Sequence, residues 1–182
     1  MKKLFLAAFA VFAFASVNAQ DITFGAKAGV NFASLTGDDV DADGRTSFHL
    51  GAVANIGISE KFSVQPELLY SAQGLTNDGD VVGKLDYISL PILASFEVAE
   101  GFSVQAGPQV AFNINDSVEV DGEDAGDLDA EGVDFGLAAG LQYKMDSGLF
   151  FQARYGLGLS DVISDVDAKN SVIALSVGYF FL

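Results

Sequence analysis

The chain has 182 residues, half of them hydrophobic, with 25 acidic residues against nine basic ones, a net charge of −16 and no cysteine. Acidity on this scale repels nucleic acid and anionic lipid, and it suits divalent cations or basic partners instead. The missing cysteines exclude disulfides, thiol nucleophiles and a lipid anchor on an N-terminal cysteine.

Met1-Lys2-Lys3 opens the chain, a mostly apolar run follows from Leu4 to Val17, and Val17-Asn18-Ala19 precedes Gln20. A basic start, an apolar stretch and small residues at −3 and −1 predict a secretory signal peptide over 1–19, cut after Ala19. The run is short for a spanning helix, which needs roughly 20 residues. The remaining chain, 20–182, is read as one outer-membrane β-barrel domain. Without Lys2 and Lys3 it holds seven basic residues against 25 acidic, a balance of −18.

Beyond Ala19 the apolar residues recur with period two, as in strands with unlike faces. A first strand carries Lys27 and Gly29-Val30-Asn31-Phe32. The connection Leu35–Thr46 follows, containing Asp39-Val40-Asp41-Ala42-Asp43-Gly44. That hexapeptide matches the first half of a calcium loop and makes Asp39, Asp41 and Asp43 candidate metal ligands. Position twelve, a bidentate Glu in the full motif, is Leu50. The second strand holds His49, the only histidine, and ends at the tight turn Ile58–Lys61.

In the third strand Phe62, Val64, Pro66, Leu68 and Tyr70 oppose Ser63, Gln65, Glu67, Leu69 and Ser71. Connection Gly74–Lys84 and a fourth strand with Tyr87-Ile88-Ser89-Leu90-Pro91 lead to the short turn Val98–Gly101. Alternation is clearest over Phe102–Asn115, with Phe102, Val104, Ala106, Pro108, Val110, Phe112 and Ile114 on one face. The acid-rich connection Asp116–Glu131 follows. The sixth strand sets Val133, Phe135, Leu137, Ala139, Leu141 and Tyr143 against Asp134, Gly136, Ala138, Gly140, Gln142 and Lys144. After the turn Met145–Gly148, Leu149, Phe151, Ala153, Tyr155 and Leu157 oppose Gln152, Arg154, Gly156 and Gly158. Connection Leu159–Lys169 precedes the eighth strand, where Ile173, Leu175, Val177, Tyr179 and Phe181 oppose Ala174, Ser176 and Gly178. Pro66, Pro91 and Pro108 lack a ladder donor, which predicts a bulge or weakened pairing at each.

Long and short connections thus alternate, and eight strands joined this way have one end with large loops and one with turns. That is the sidedness of an outer-membrane barrel. The four long connections carry 17 acidic residues, eight of them in Asp116–Glu131. In a soluble barrel the apolar faces would pack inward. Here the opposite faces are rich in Gly, Ala, Ser and Gln and poor in Lys and Glu, which fits a crowded polar lumen. The apolar faces carry no charge and place aromatics towards strand ends, as lipid-facing bands do. The expected fold is all-β, an eight-stranded antiparallel up-and-down transmembrane β-barrel.

Lys27, Glu67 and Arg154 fall at similar heights on inward faces. An eight-stranded barrel has an interior just wide enough for side chains to fill, and buried charges must pair. A lumenal polar cluster of Glu67 with Arg154 and Lys27 is therefore expected, as a structural plug, with a proton or ion path as the alternative. Catalysis finds little support: no Ser/His/Asp set can be assigned by spacing, and Gly-Leu-Gly at 156–158 is strand packing, not a nucleotide site. His49 would be the only evident base for an outer-membrane hydrolase. No cofactor is expected.

In order and spacing, the chain resembles the PorT-type outer-membrane β-barrel family of Bacteroidetes. The resemblance rests on Gly29-Val30-Asn31-Phe32, Gln65-Pro66-Glu67-Leu68-Leu69-Tyr70, Tyr87-Ile88-Ser89-Leu90-Pro91, Gly107-Pro108, Asp134-Phe135-Gly136-Leu137, Arg154-Tyr155-Gly156-Leu157-Gly158-Leu159 and the terminal Gly178-Tyr179-Phe180-Phe181-Leu182. It implies a small eight-stranded barrel and no reaction; one branch of the family is tied to protein secretion. The last strand, with Tyr179 and Phe181, resembles the signal read by the outer-membrane assembly machinery, although it ends on Leu182 rather than Phe. Expected partners are outer-membrane lipid, that machinery, and an envelope protein or a divalent cation at the acidic loops, with no nucleic acid. The leading expectation is a non-enzymatic surface or envelope protein. The alternatives are an accessory component of a secretion complex and a soluble lipocalin-like ligand carrier.

Overall fold

A computed structural model of the chain describes residues 22–36, 43–77, 81–121, 123–126, 130–162 and 168–181. Its strands are β1 (Ile22–Thr36), β2 (Asp43–Gly57), β3 (Phe62–Asn77), β4 (Val81–Ala99), β5 (Phe102–Val120), β6 (Glu123–Gly126), β7 (Val133–Lys144), β8 (Leu149–Gly158) and β9 (Lys169–Phe181). All neighbours pair antiparallel, in the order β4-β3-β2-β1-β9-β8-β7-β5, and β4 also pairs with β5. The sheet is therefore a closed barrel of eight strands. Its seam joins first and last strands, from Phe24↔Phe181 to Thr36↔Lys169. Closure leaves no edge, the condition for a sheet to cross lipid with its backbone satisfied.

Side chains divide between two faces as the alternation requires. Phe32, Phe48, Leu68, Phe135, Leu137, Leu175 and Val177 are among the exposed large hydrophobics, while Lys27, Gln65, Glu67, Gln105, Gln142, Gln152 and Arg154 are buried. A lipocalin-like carrier would hold its large apolar side chains inside. This barrel turns large apolar side chains outward, so that alternative is not favoured.

Three features depart from the sequence reading. The first is strand length. Pairing continues well into the connections read as long loops: β1 reaches Thr36, β2 begins at Asp43, and Asn77 pairs with Val81. The second is β6, which folds back on the upper part of β5 through Val120↔Glu123 and Val118↔Gly126. The β2–β6 sector of the wall thus projects beyond the rest as a ribbon. Asp121-Gly122, a two-residue hairpin sequence, was its signal, and Asp121 adopts a positive φ of 54°.

The third departure is in the lumen, which is apolar at both ends. Phe150 and Phe180 point inward near the short turns, their ring centroids 4.6 Å apart, and pack with Val53. At the long-loop end Leu35, Leu85, Tyr87, Ala111, Val162 and Ala168 form a second buried cluster. Glycine makes the lower plug possible: a Cβ on Gly178 would lie 2.6 Å from both Phe150 Cε1 and the carbonyl oxygen of Ala26. Gly178→Ala is expected to destabilise the barrel by about 1–3 kcal/mol, the usual cost of overpacking, read as a lower urea midpoint in lipid vesicles.

The prolines act as expected of residues without a ladder donor. β2–β3 pairing lapses between Val53↔Glu67 and Ile56↔Val64, opposite Pro66. β3–β4 pairing lapses between Pro66↔Ile92 and Leu69↔Ser89, at Pro91. β4–β5 pairing lapses between Pro91↔Gln109 and Ala94↔Ala106, at Pro108. Register is unchanged across all three lapses, so pairing is weakened without a bulge. The register shifts lie elsewhere, at Gly44/His49, Asp86/Tyr87, Glu97/Ala99 and Val118/Glu119.

Candidate functional site

Inward-facing residues of four strands meet in the middle of the lumen. Glu67 on β3 is the hub: its Oε2 accepts from Lys27 Nζ of β1 and from Arg154 Nη1 of β8, both at 2.7 Å. The Lys27 and Glu67 side chains are 0% exposed and that of Arg154 is 8% exposed. Two cations on one carboxylate oxygen leave the trio with an excess positive charge, so neutral acceptors matter around it.

Glutamines supply them, and here sequence reasoning noted a polar face but missed a network. Lys27 Nζ also donates to Gln152 Oε1 at 2.7 Å, and Gln152 Nε2 donates to Gln105 Oε1 at 2.7 Å. Gln105 Nε2 donates to Gln65 Oε1 at 3.2 Å, and Gln65 Nε2 donates to Glu67 Oε1 at 3.0 Å. The bonds close a ring: Lys27, Gln152, Gln105, Gln65, Glu67 and back to Lys27. Along the four bonds through the glutamines every donor points from ammonium to carboxylate, the direct Lys27–Glu67 bond closes the ring with Lys27 again donating, and each amide's orientation is fixed by its two neighbours. Such a directional chain polarises its own members and strengthens them together. The only advance signal was a Gln at the same inward parity in strands that closure brings face to face.

His49 sits above the ring and is 2% exposed. Its Nδ1 meets Asn31 Oδ1 at 2.8 Å and its Nε2 meets Ser176 Oγ at 2.8 Å. Asn31 Nδ2 donates to Ser71 Oγ and to the Ala72 carbonyl, so Oδ1 is an acceptor and Nδ1 must carry the proton. Nε2 then accepts from the serine. Both ring nitrogens are occupied by structural bonds. Gly29 leaves the space for this ring, since a Cβ there would lie 2.6 Å from His49 Cε1. Nearer the outer end, Asp134 takes one bond on each oxygen, from Ser160 Oγ and from Asn170 Nδ2, both at 2.9 Å.

The candidate calcium ligands separate differently. Asp39 and Asp41 lie outside the described residues, and Asp43 opens β2, where its backbone pairs with Thr76. Among the described residues, no three His, Cys, Asp or Glu side chains are grouped to hold a metal ion. Lys84 pairs with Glu119 across β4 and β5 on the projecting ribbon, and Lys169 Nζ lies 3.2 Å from Asp161 Oδ1.

The family model described as outer membrane protein beta-barrel domain matches residues 18–164. The chain belongs to that family. It is a small outer-membrane β-barrel, and its apolar exterior is the surface that meets lipid. Among solved structures, Neisserial surface protein A (NspA) is 16% identical with a TM-score of 0.65, covering 87% of this chain and 97% of its own. Ail, the attachment invasion locus protein of Yersinia pestis, is 19% identical with a TM-score of 0.56, covering 87% and 98%. A further Ail structure holds the heparin analogue sucrose octasulfate, at 18% identity and a TM-score of 0.55, covering 88% and 99%. These likenesses concern the fold. No curated protein matches the chain in sequence.

Proposed function

We propose that the barrel is a non-enzymatic surface or envelope protein, in which the lumen is a structural plug and the acidic outer end engages a partner. The observation that carries this reading is the filled lumen. The Lys27–Glu67–Arg154 trio and the glutamine ring occupy its middle, and apolar clusters close both ends. A path for solutes is thereby blocked, and the outer end is left as the part of the molecule that meets other molecules. The occupied ring nitrogens of His49 weigh against a hydrolase, because a general base needs a free nitrogen within reach of its substrate.

The charge of that end selects the partner's chemistry. Seventeen acidic residues in four connections favour basic protein segments or divalent cations over sulfated polyanions. The ligand in the Ail structure is therefore no guide to the ligand of this chain. Loss of the signal peptide 1–19, with 20–182 as the mature barrel, belongs to the same reading. A calorimetric titration with calcium checks the cation class: binding through Asp39, Asp41 and Asp43 predicts heat at millimolar calcium that Asp41→Asn reduces.

A second reading, accessory membership of a protein-secretion complex, is favoured by the resemblance to the PorT-type family, including Gln65-Pro66-Glu67-Leu68-Leu69-Tyr70. Native mass of the protein extracted from outer membranes in mild detergent, with co-eluting chains identified, separates the two. A lone species near the mass of one barrel is expected. A stoichiometric partner would replace the first reading by the second, and its identity would name the process.

A further inference from the structure

Between the glutamine ring and the outer apolar cluster lies a small chamber of about 30 Å³. Asn31, Gln73, Ser89, Asp134, Arg154 and Asn170 are among the residues that line it. Three buried side-chain atoms among the described residues have no hydrogen-bond partner in the protein: Gln73 Oε1, Ser89 Oγ and Asn170 Oδ1. All three belong to residues lining this one chamber, although they come from β3, β4 and β9. The residues are 4%, 2% and 4% exposed. Buried polar groups in folded proteins are almost always satisfied, so three orphans converging on one space point to an occupant.

The orientation of the acceptors is fixed. Asn170 Nδ2 donates to Asp134 Oδ2 at 2.9 Å and to Tyr87 Oη at 3.4 Å, which leaves Oδ1 as an acceptor. Gln73 Nε2 donates to Ser71 Oγ at 3.2 Å, which leaves its Oε1 likewise. On the donor side, the Arg154 guanidinium carries five N–H groups, and its bond to Glu67 uses Nη1. The occupant must therefore donate to amide carbonyls and accept from a guanidinium or a hydroxyl.

Charge decides which occupant. Among the described residues, the buried acidic and basic side chains of the lumen other than His49 are Lys27 and Arg154 against Glu67 and Asp134. Asp134 accepts one bond on each oxygen. Two cationic and two acidic groups balance when all four are ionised, so an additional ion would be an uncompensated charge in a low-dielectric interior. A neutral molecule that is both donor and acceptor meets every requirement. A water needs about 10–15 Å³ of such space, which gives room for about two.

We infer that the chamber is a structural water site, in which ordered waters bridge Gln73, Ser89 and Asn170 and join the outer cap to the Arg154–Glu67 pair. Asn170 belongs to the cap through Tyr87, and Arg154 to the ring through Glu67, so the waters complete one polar network from mid-lumen to rim.

The test is a crystal structure at a resolution that places solvent, from crystals grown with rubidium bromide and recorded at both anomalous edges. Non-anomalous density within hydrogen-bond distance of Gln73 Oε1 and Asn170 Oδ1 is the expected result. An anomalous peak in the chamber would replace water by an ion and overturn the inference, and a chamber without density would overturn it too. A second measurement needs no crystal. In nanodiscs the side-chain amide protons of Gln73 and Asn170 are expected to show magnetisation transfer from water, while those of Gln65 and Gln105, enclosed in the ring, do not. Equal transfer to all four, or to none, would count against the site.

Discussion

Glu67→Ala is expected to lower the stability of the barrel by about 3–5 kcal/mol, the range for breaking a buried ion pair by removing one partner. The mechanism is specific. Lys27 Nζ and Arg154 Nη1 both bond Glu67 Oε2, and truncation leaves two cations in the lumen with their carboxylate gone. It also opens the glutamine ring at Gln65. Urea unfolding in lipid vesicles reads the loss as a lower midpoint, and heat-modified mobility on gels reads it as a lower transition temperature. A triple variant, Glu67→Ala with Lys27→Met and Arg154→Met, is expected to recover much of the loss, because it removes the stranded charges along with their partner. If Glu67→Ala left the midpoint unchanged, the trio would not be a structural plug.

The second large effect lies on the outer surface. Val177 is exposed on β9, pairs with Ala28 and sits midway between the short turns and the outer rim. Val177→Arg is expected to cost about 2–4 kcal/mol in a bilayer, and Thr36→Arg, at the outer end of β1, about 0–1 kcal/mol. The contrast between the two sites is the measurement, since both add the same charge to the same kind of surface. Equal penalties would mean that Val177 does not face hydrocarbon. In mild detergent, which can rearrange around the guanidinium, the gap is expected to shrink.

Both effects trace to which way each side chain faces, and period-two alternation set that out in advance. Phe62, Val64, Leu68 and Tyr70 against Gln65, Glu67 and Ser71 is a pattern that any antiparallel pairing must respect, because successive Cβ atoms point to opposite faces. The same parity placed Lys27, Glu67 and Arg154 inward. It could not say that one oxygen of Glu67 receives both cations. That contact depends on the closed order of the strands and on their stagger, which fix the heights of β1, β3 and β8 relative to one another across the lumen.

Strand length failed for a related reason. Within the bilayer one face meets lipid and the other the lumen, and the contrast writes the alternation. Beyond the rim the outer face meets water in place of lipid, so Val81–Asp86 and Asn115–Val120 pair through their backbones with little outward apolar pattern to announce it. Backbone hydrogen bonds continue where the hydrophobic signal stops. Phe150 and Phe180 escaped notice because they follow the inward parity but break the polar composition of that face, and the glycines opposite them, Gly178 and Gly25, make the space.

The sequence by itself determined the two faces, the number of membrane-crossing strands and the sidedness of the connections, since each follows from local chemistry repeated along the chain. The tertiary structure alone decided the glutamine ring, the apolar plugs at both ends, the ribbon of β2–β6 and the polar chamber. Those features join residues distant in the chain, such as Lys27 and Gln152, 125 positions apart, and such partners are chosen by how the sheet closes on itself.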